Sequence, residues 1–134
     1  MNVQVTSVEQ SVLLIRMGVP PERASMVWHR MFRDKKTGYT EWALKIGPIQ
    51  KFPQLEVLQI IPAYTVADIM ELLPMFIGRK GTFYLNITPC YEGWYVGYEL
   101  EKKLKLKSFR GPKLVDVLVA ATDWVLSNGY MLNV

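Results

Sequence analysis

Between Phe83 and Phe109 the sequence holds three β-prone runs, Phe83–Ile87, Tyr91–Leu100 and Leu104–Phe109, with only three residues in each gap. Strands joined by so few residues pair as antiparallel hairpins, because a parallel crossover needs about a dozen or more. Another hairpin is predicted upstream. Met26–Phe32 is bulky and β-prone, and Asp34-Lys35-Lys36-Thr37-Gly38 is turn chemistry. Thr40, Trp42, Leu44 and Ile46 then alternate with Glu41, Ala43 and Lys45, which predicts Trp42, Leu44 and Ile46 on a buried face. Gly47–Pro53 reads as a surface loop and Val57–Ile61 as a short strand.

Helices are marked by their ends. Thr6 with Glu9, or Ser7 with Gln10, forms a capping box that opens a helix over Val8–Met17, and Gly18 suits its left-handed stop. Val19-Pro20-Pro21-Glu22-Arg23-Ala24 turns into a short second helix. Thr65-Val66-Ala67-Asp68 caps another, with Val66, Ile69, Met70 and Leu73 on one face, Asp68 and Glu71 pointing away, and Pro74 as terminator. Pro112 starts the last helix, whose stripe of Leu114, Val117, Leu118, Ala121 and Val125 is widened by Val115, Val119 and Leu126. Asn128-Gly129 stops it.

Strands in hairpin runs rather than in alternation with helices predict an α+β fold: a mainly antiparallel sheet of about five to six strands with helices packed on one face. The 134 residues fit a single domain, 1–134. A three-residue turn between Leu100 and Leu104 would set Glu99 opposite Lys105, Tyr98 opposite Leu106, Val96 opposite Ser108 and Tyr95 beside Phe109. That register predicts an exposed Glu99–Lys105 ion pair, with Leu104 and Leu106 facing inward.

Half of the residues are apolar, enough to offset ordering entropy, and the net charge of +4 is mild. Cys90 is the only cysteine and His29 the only histidine, so neither a disulfide within the chain nor a Cys/His zinc site is expected. The apolar run Val12–Ile15 is too short for a signal core or a bilayer span, so the expected address is cytoplasmic, without a membrane partner. The Asn86-Ile87-Thr88 sequon is therefore expected to go unused.

Three segments carry a family resemblance. They are Thr6-Ser7-Val8-Glu9-Gln10-Ser11 with Gly18-Val19-Pro20-Pro21-Glu22; Ile61-Pro62-Ala63-Tyr64-Thr65-Val66-Ala67-Asp68-Ile69-Met70-Glu71-Leu72-Leu73-Pro74; and Thr122-Asp123-Trp124-Val125-Leu126-Ser127-Asn128-Gly129-Tyr130. On these residues the chain resembles a family of small uncharacterised proteins from Bacteroides-type gut bacteria and their prophages. The resemblance implies a bacterial or phage-derived cytoplasmic protein and brings no catalytic motif.

The most suggestive chemistry is basic. Lys102, Lys103, Lys105, Lys107, Arg110 and Lys113 occur without an acidic residue between them. On a strand, Lys103, Lys105 and Lys107 would share one face opposite Leu104 and Leu106. With Phe109, Arg110 and Tyr95 they could follow a phosphate backbone while the rings stack on bases. The same pattern fits an edge strand whose solvated lysines deter edge-to-edge pairing.

Other candidates are weaker. Gly78-Arg79-Lys80-Gly81 could cradle an anion but lacks P-loop spacing, and a tight polar turn explains it. His29 and Cys90 could pair as base and nucleophile only if the fold joined them. No spacing pairs carboxylates, and no metal, dinucleotide or nucleophile-elbow motif is present, so no catalytic residue or cofactor is assigned. Trp42, Trp94 and Trp124 fall on inward positions, whereas Tyr91, Tyr95, Trp28 and Phe52 could form an exposed aromatic patch suited to protein recognition. The expectation is a non-enzymatic interaction or accessory protein with an unidentified protein partner. The alternative is a weak, sequence-tolerant nucleic-acid binder using Lys103, Lys105, Lys107, Phe109 and Arg110.

Overall fold

The computed structural model describes residues 4–79, 82–101 and 104–134. It shows an α+β protein in which every paired strand is antiparallel. The strands form two four-stranded sheets rather than one of five or six. The chain separates into two compact units, Val5–Asp68 and Ile69–Val134 with Gln4, and the boundary falls within α2 (Val66–Leu72).

In the N-terminal unit, β1 (Met26–Asp34) is the central strand. One edge pairs with β4 (Leu58–Ala63), and the other with β2 (Gly38–Tyr39) and β3 (Ala43–Ile46). The Asp34 carboxylate closes the hairpin by accepting from the amides of Lys36 and Thr37 at 2.8 and 2.7 Å. These bonds hold its pKa below the usual carboxylate value. Ile46, expected inward, lies at the end of β3 and is 86% exposed.

Of the two capping boxes, Ser7 with Gln10 forms, and it starts α1 (Val8–Arg16). Thr6 is drawn instead into tertiary bonds. Its hydroxyl lies 2.7 Å from that of Ser11 and accepts from the Tyr64 amide, while its carbonyl accepts from the Trp28 indole. The second helix is a single 3-10 turn at Pro21–Arg23. Tyr64 is fully buried and donates to the Pro20 carbonyl at 3.0 Å; burial pushes its pKa well above the usual tyrosine value.

Thr65 and Asp68 cap α2 reciprocally, but Asp68 is buried rather than pointing away. Its carboxylate also accepts from the amide and hydroxyl of Ser25, at 2.8 and 2.5 Å. Met70, expected on the apolar face, is exposed.

The C-terminal unit is a meander of β5 (Phe76–Ile77), β6 (Phe83–Cys90), β7 (Gly93–Glu101) and β8 (Leu104–Gly111), with α3 (Leu114–Ser127) packed on β7 and β8. All five stripe residues of α3 are buried, as the periodicity predicts. β6 runs through Thr88-Pro89, and the turn is Tyr91-Glu92. Pro89 is tolerated because β5 pairs only with the start of β6, which leaves its missing N–H on an open edge.

β7 and β8 keep the expected Glu99–Lys105 pairing but only there. The ladder begins at Glu101 and Leu104 rather than at Leu100 and Leu104, so Tyr98 pairs with Lys107, Val96 with Phe109 and Tyr95 with Arg110. Compensating irregularities at Leu100 on β7 and Leu106 on β8 bracket the Glu99–Lys105 pair. Leu104 and Leu106, expected inward, are both exposed.

Candidate functional site

One face of the C-terminal sheet carries Val96, Tyr98 and Phe109 and receives α3: Tyr98 lies against Trp124, with ring centroids 6.1 Å apart. The Tyr98 hydroxyl donates to the Pro74 carbonyl at 2.7 Å, and burial raises its pKa far above the usual range. The opposite face is open. It forms a groove of about 600 Å³ lined by residues that include Asn86, Cys90, Tyr95, Glu99, Lys105 and Arg110.

The floor is built from alternation. Tyr95, Gly97 and Glu99 point to the same side of β7, and Asn86 and Tyr84 stand opposite Gly97 and Glu99 on β6. Because Gly97 has no side chain, the Tyr95 ring folds over it; a Cβ there would stand 2.5 Å from the Tyr95 hydroxyl. The ring thus reaches along the strand, and its hydroxyl donates to Glu99 Oε2 at 2.7 Å. Asn86 Nδ2 donates to Glu99 Oε1 at 2.6 Å. Both oxygens of a carboxylate that is only 3% exposed are therefore satisfied.

Burial first, and then the bond to Glu99, pushes the Tyr95 pKa up to about 12. Tyr95 is accordingly a proton donor in a fixed network and not a base near neutral pH. The sequon residue Asn86 is part of the same network.

The rim is cationic. Lys105 Nζ stands 4.9 Å and the Arg110 guanidinium 5.5 Å from the centroid of the Tyr95 ring. Each such contact is worth about 0.5–1 kcal/mol at an exposed site. Arg110 also approaches Glu92 at 3.7 Å, between side chains about half exposed. Glu92 is held below the usual carboxylate pKa, chiefly by its own backbone amide and the Cys90 thiol, and less by Arg110. The expected Glu99–Lys105 ion pair is absent: Asn86 and Tyr95 occupy the Glu99 oxygens, and Lys105 sits on the ring instead.

The expected basic row is divided. Lys105 and Arg110 share the open face with Tyr95. The register places Lys107 and Phe109 on the α3 side, with Lys107 Nζ 5.7 Å from the Phe109 ring centroid, and the irregularity at Leu106 turns Lys105 to the open face. Lys102 and Lys103 lie outside the described residues. So do Lys80 and Gly81 of the glycine-flanked turn, where Thr82 donates its hydroxyl to the Arg79 carbonyl.

His29 belongs to β1 of the N-terminal unit and Cys90 to the C-terminal unit. His29 Nε2 is buried without a hydrogen-bond partner among the described residues. Among these residues no three His, Cys, Asp or Glu side chains cluster to hold a metal ion, and no helix is long and apolar enough to cross a membrane. Trp42, Trp94, Trp124, Trp28 and Phe52 are half-buried, Tyr95 is buried, and Tyr91 projects fully from the β6–β7 turn at the groove.

Sequence reasoning missed Asn86 and Glu99 as site residues. The available signal was Tyr-x-Gly-x-Glu at strand period, in which glycine leaves room for a ring to lie along the strand. No protein-family model, curated protein or solved structure matches this chain.

Proposed function

We propose that this is a non-enzymatic interaction protein of bacterial or prophage origin, and that the groove on its C-terminal sheet holds an acidic segment of a cytoplasmic partner protein. The observation that carries this reading is the pair of cations, Lys105 and Arg110, resting on one buried tyrosine at the rim of an open groove. The buried network beneath them is internally satisfied, which suits presentation of charge rather than proton transfer. The Arg110–Glu92 contact joins side chains about half exposed and is screened by solvent, so a partner carboxylate can replace it.

A second reading, weak sequence-tolerant nucleic-acid binding, is favoured by the fully exposed Tyr91 ring beside the same cations. It loses two of its expected parts, since Tyr95 is covered and Phe109 lies on the other face.

Fluorescence anisotropy with a labelled Glu-rich peptide and with single- and double-stranded oligonucleotides, at low and physiological salt, separates the two. Peptide binding that is lost in Lys105→Ala/Arg110→Ala supports the first reading. Binding of oligonucleotides alone transfers support to the second, and binding of neither probe at low salt overturns both.

A further inference from the structure

In the N-terminal unit, Arg30 is held in an unusually complete way for a side chain with no carboxylate partner. It stands opposite Gln59 in the β1–β4 ladder, and its Nε donates to Gln59 Oε1 at 2.6 Å. From the other edge of the sheet, the rings of Tyr39 and Trp42 lie against the guanidinium, 4.3 and 4.4 Å from Cζ to the ring centroids. Tyr39 is in turn braced edge-on by Phe32, with centroids 5.3 Å apart.

Arg30 as a residue is half-buried, and among the described residues no carboxylate lies within 4 Å of its guanidinium. Its Nε–H is committed, whereas its two terminal amino groups have no hydrogen-bond acceptor among those residues. Arg30 and Trp42 line a cavity of about 560 Å³ whose remaining walls are Val8, Gln59, Ile60 and Ile61. One fixed fork of donors thus meets walls that are otherwise mostly apolar.

We propose that this cavity is a binding site for an apolar carboxylate, with the terminal amino groups of Arg30 gripping both carboxylate oxygens and the hydrocarbon body lying on Val8, Ile60 and Ile61. A planar guanidinium matches a carboxylate with two parallel hydrogen bonds. Here its torsional freedom is already removed by two rings and the bond to Gln59, so little further entropy is lost on binding. The apolar part of the wall favours a ligand with a hydrocarbon body over a small hydrated anion. A hydrophobic peptide C-terminus and a free organic acid present the same chemistry.

The full chain is titrated with N-acetyl-leucine, sodium butyrate, N-acetyl-leucine amide and sodium chloride at matched ionic strength. The Arg30 Nε–H and Trp42 indole N–H resonances are followed by NMR, which needs no variant. Saturable shifts of both resonances with the two carboxylates, and with neither the amide nor chloride, are expected. Tighter binding of N-acetyl-leucine assigns the peptide terminus, and tighter binding of butyrate assigns a free acid; either supports the site. Arg30→Lys, which keeps the charge and loses the fork, should weaken binding roughly tenfold or more while the far-UV dichroism stays unchanged. Equal shifts with the amide or with chloride, or none with the carboxylates, overturn the proposal.

Discussion

The Tyr95 hydroxyl donates to the Glu99 carboxylate at 2.7 Å, four residues along the same strand, by lying across the bare backbone of Gly97. A residue with no side chain, a ring and a buried acid thereby act as one unit. Its integrity keeps Lys105 and Arg110 at the mouth of the groove.

Gly97→Ala should break that unit. The added Cβ meets Tyr95 Oη at 2.5 Å and Cζ at 2.8 Å, so the ring must swing away and leave one Glu99 oxygen without its donor. A loss of about 1–3 kcal/mol is expected in urea unfolding. Made in a Tyr95→Ala background, the same substitution should cost much less, because the clashing atoms are gone. Equal costs in the two backgrounds would mean that the ring does not determine the penalty.

Gly93→Ala should be worse still. Its φ of 123° is unfavourable for any side chain, and its Cβ would lie 2.6 Å from the Gly111 carbonyl oxygen and 2.7 Å from Pro112 Cα. These are backbone atoms where β8 ends before α3, and they cannot rotate aside. Gly129, with a φ of 81° and open space around it, is the control: Gly129→Ala should lose only about 1 kcal/mol. Comparable melting temperatures for the two variants would contradict the close approach at Gly93.

The bulge reverses an intuition drawn from strand alternation. Straight alternation makes Leu106→Lys a severe lesion, yet Leu106 is exposed on the bulge, so the change should cost no more than about 0.5 kcal/mol. Val96→Lys, at a fully buried position on the α3 face, should unfold the C-terminal sheet. Thermal denaturation of both variants checks the order.

Removing the Asp68 carboxylate should loosen the N-terminal unit. Asp68→Ala deprives the Ser25 amide, the Ser25 hydroxyl and the Thr65 amide of their acceptor, and it abolishes half of a capping box. A cost of about 2–4 kcal/mol is expected, compared with under 1 kcal/mol for the exposed Glu71→Ala. Chemical denaturation read by hydrogen exchange within β1 and α2 measures it.

High pH should destabilise the fold through its buried phenols. The Tyr95 pKa is raised from 10.0 to about 12, so its contribution is complete below about pH 10 and falls as pH rises toward 12. Across that interval the unfolded chain has released a proton that the folded chain retains, which gives stability a negative slope against pH. Tyr64 and Tyr98 act in the same direction. Tyr95→Phe should flatten the decline measured by urea unfolding between pH 9 and 11. An unchanged slope would remove Tyr95 from the account.

Local chemistry by itself determined the elements and their class. The α3 stripe, the cap at Thr65 and Asp68, the Asp34 turn and the succession of short-gapped strands all depend on residues close in sequence, so their outcome is legible there. What tertiary structure alone decided is which side of a strand each group faces once a partner layer arrives. A turn flanked by Leu100 and Leu104 would set Phe109 beside Tyr95 on the open face. The ladder instead begins at Glu101 and Leu104, which sets Phe109 beside Val96 on the α3 side and brings Arg110 to Tyr95, while irregularities at Leu100 and Leu106 keep Lys105 opposite Glu99. Asp68 likewise carries the same capping grammar whether exposed or buried, and only Ser25, forty-three residues away, fixes it inside. Faces and registers are settled by burial against distant segments, and that competition leaves no local periodicity to read.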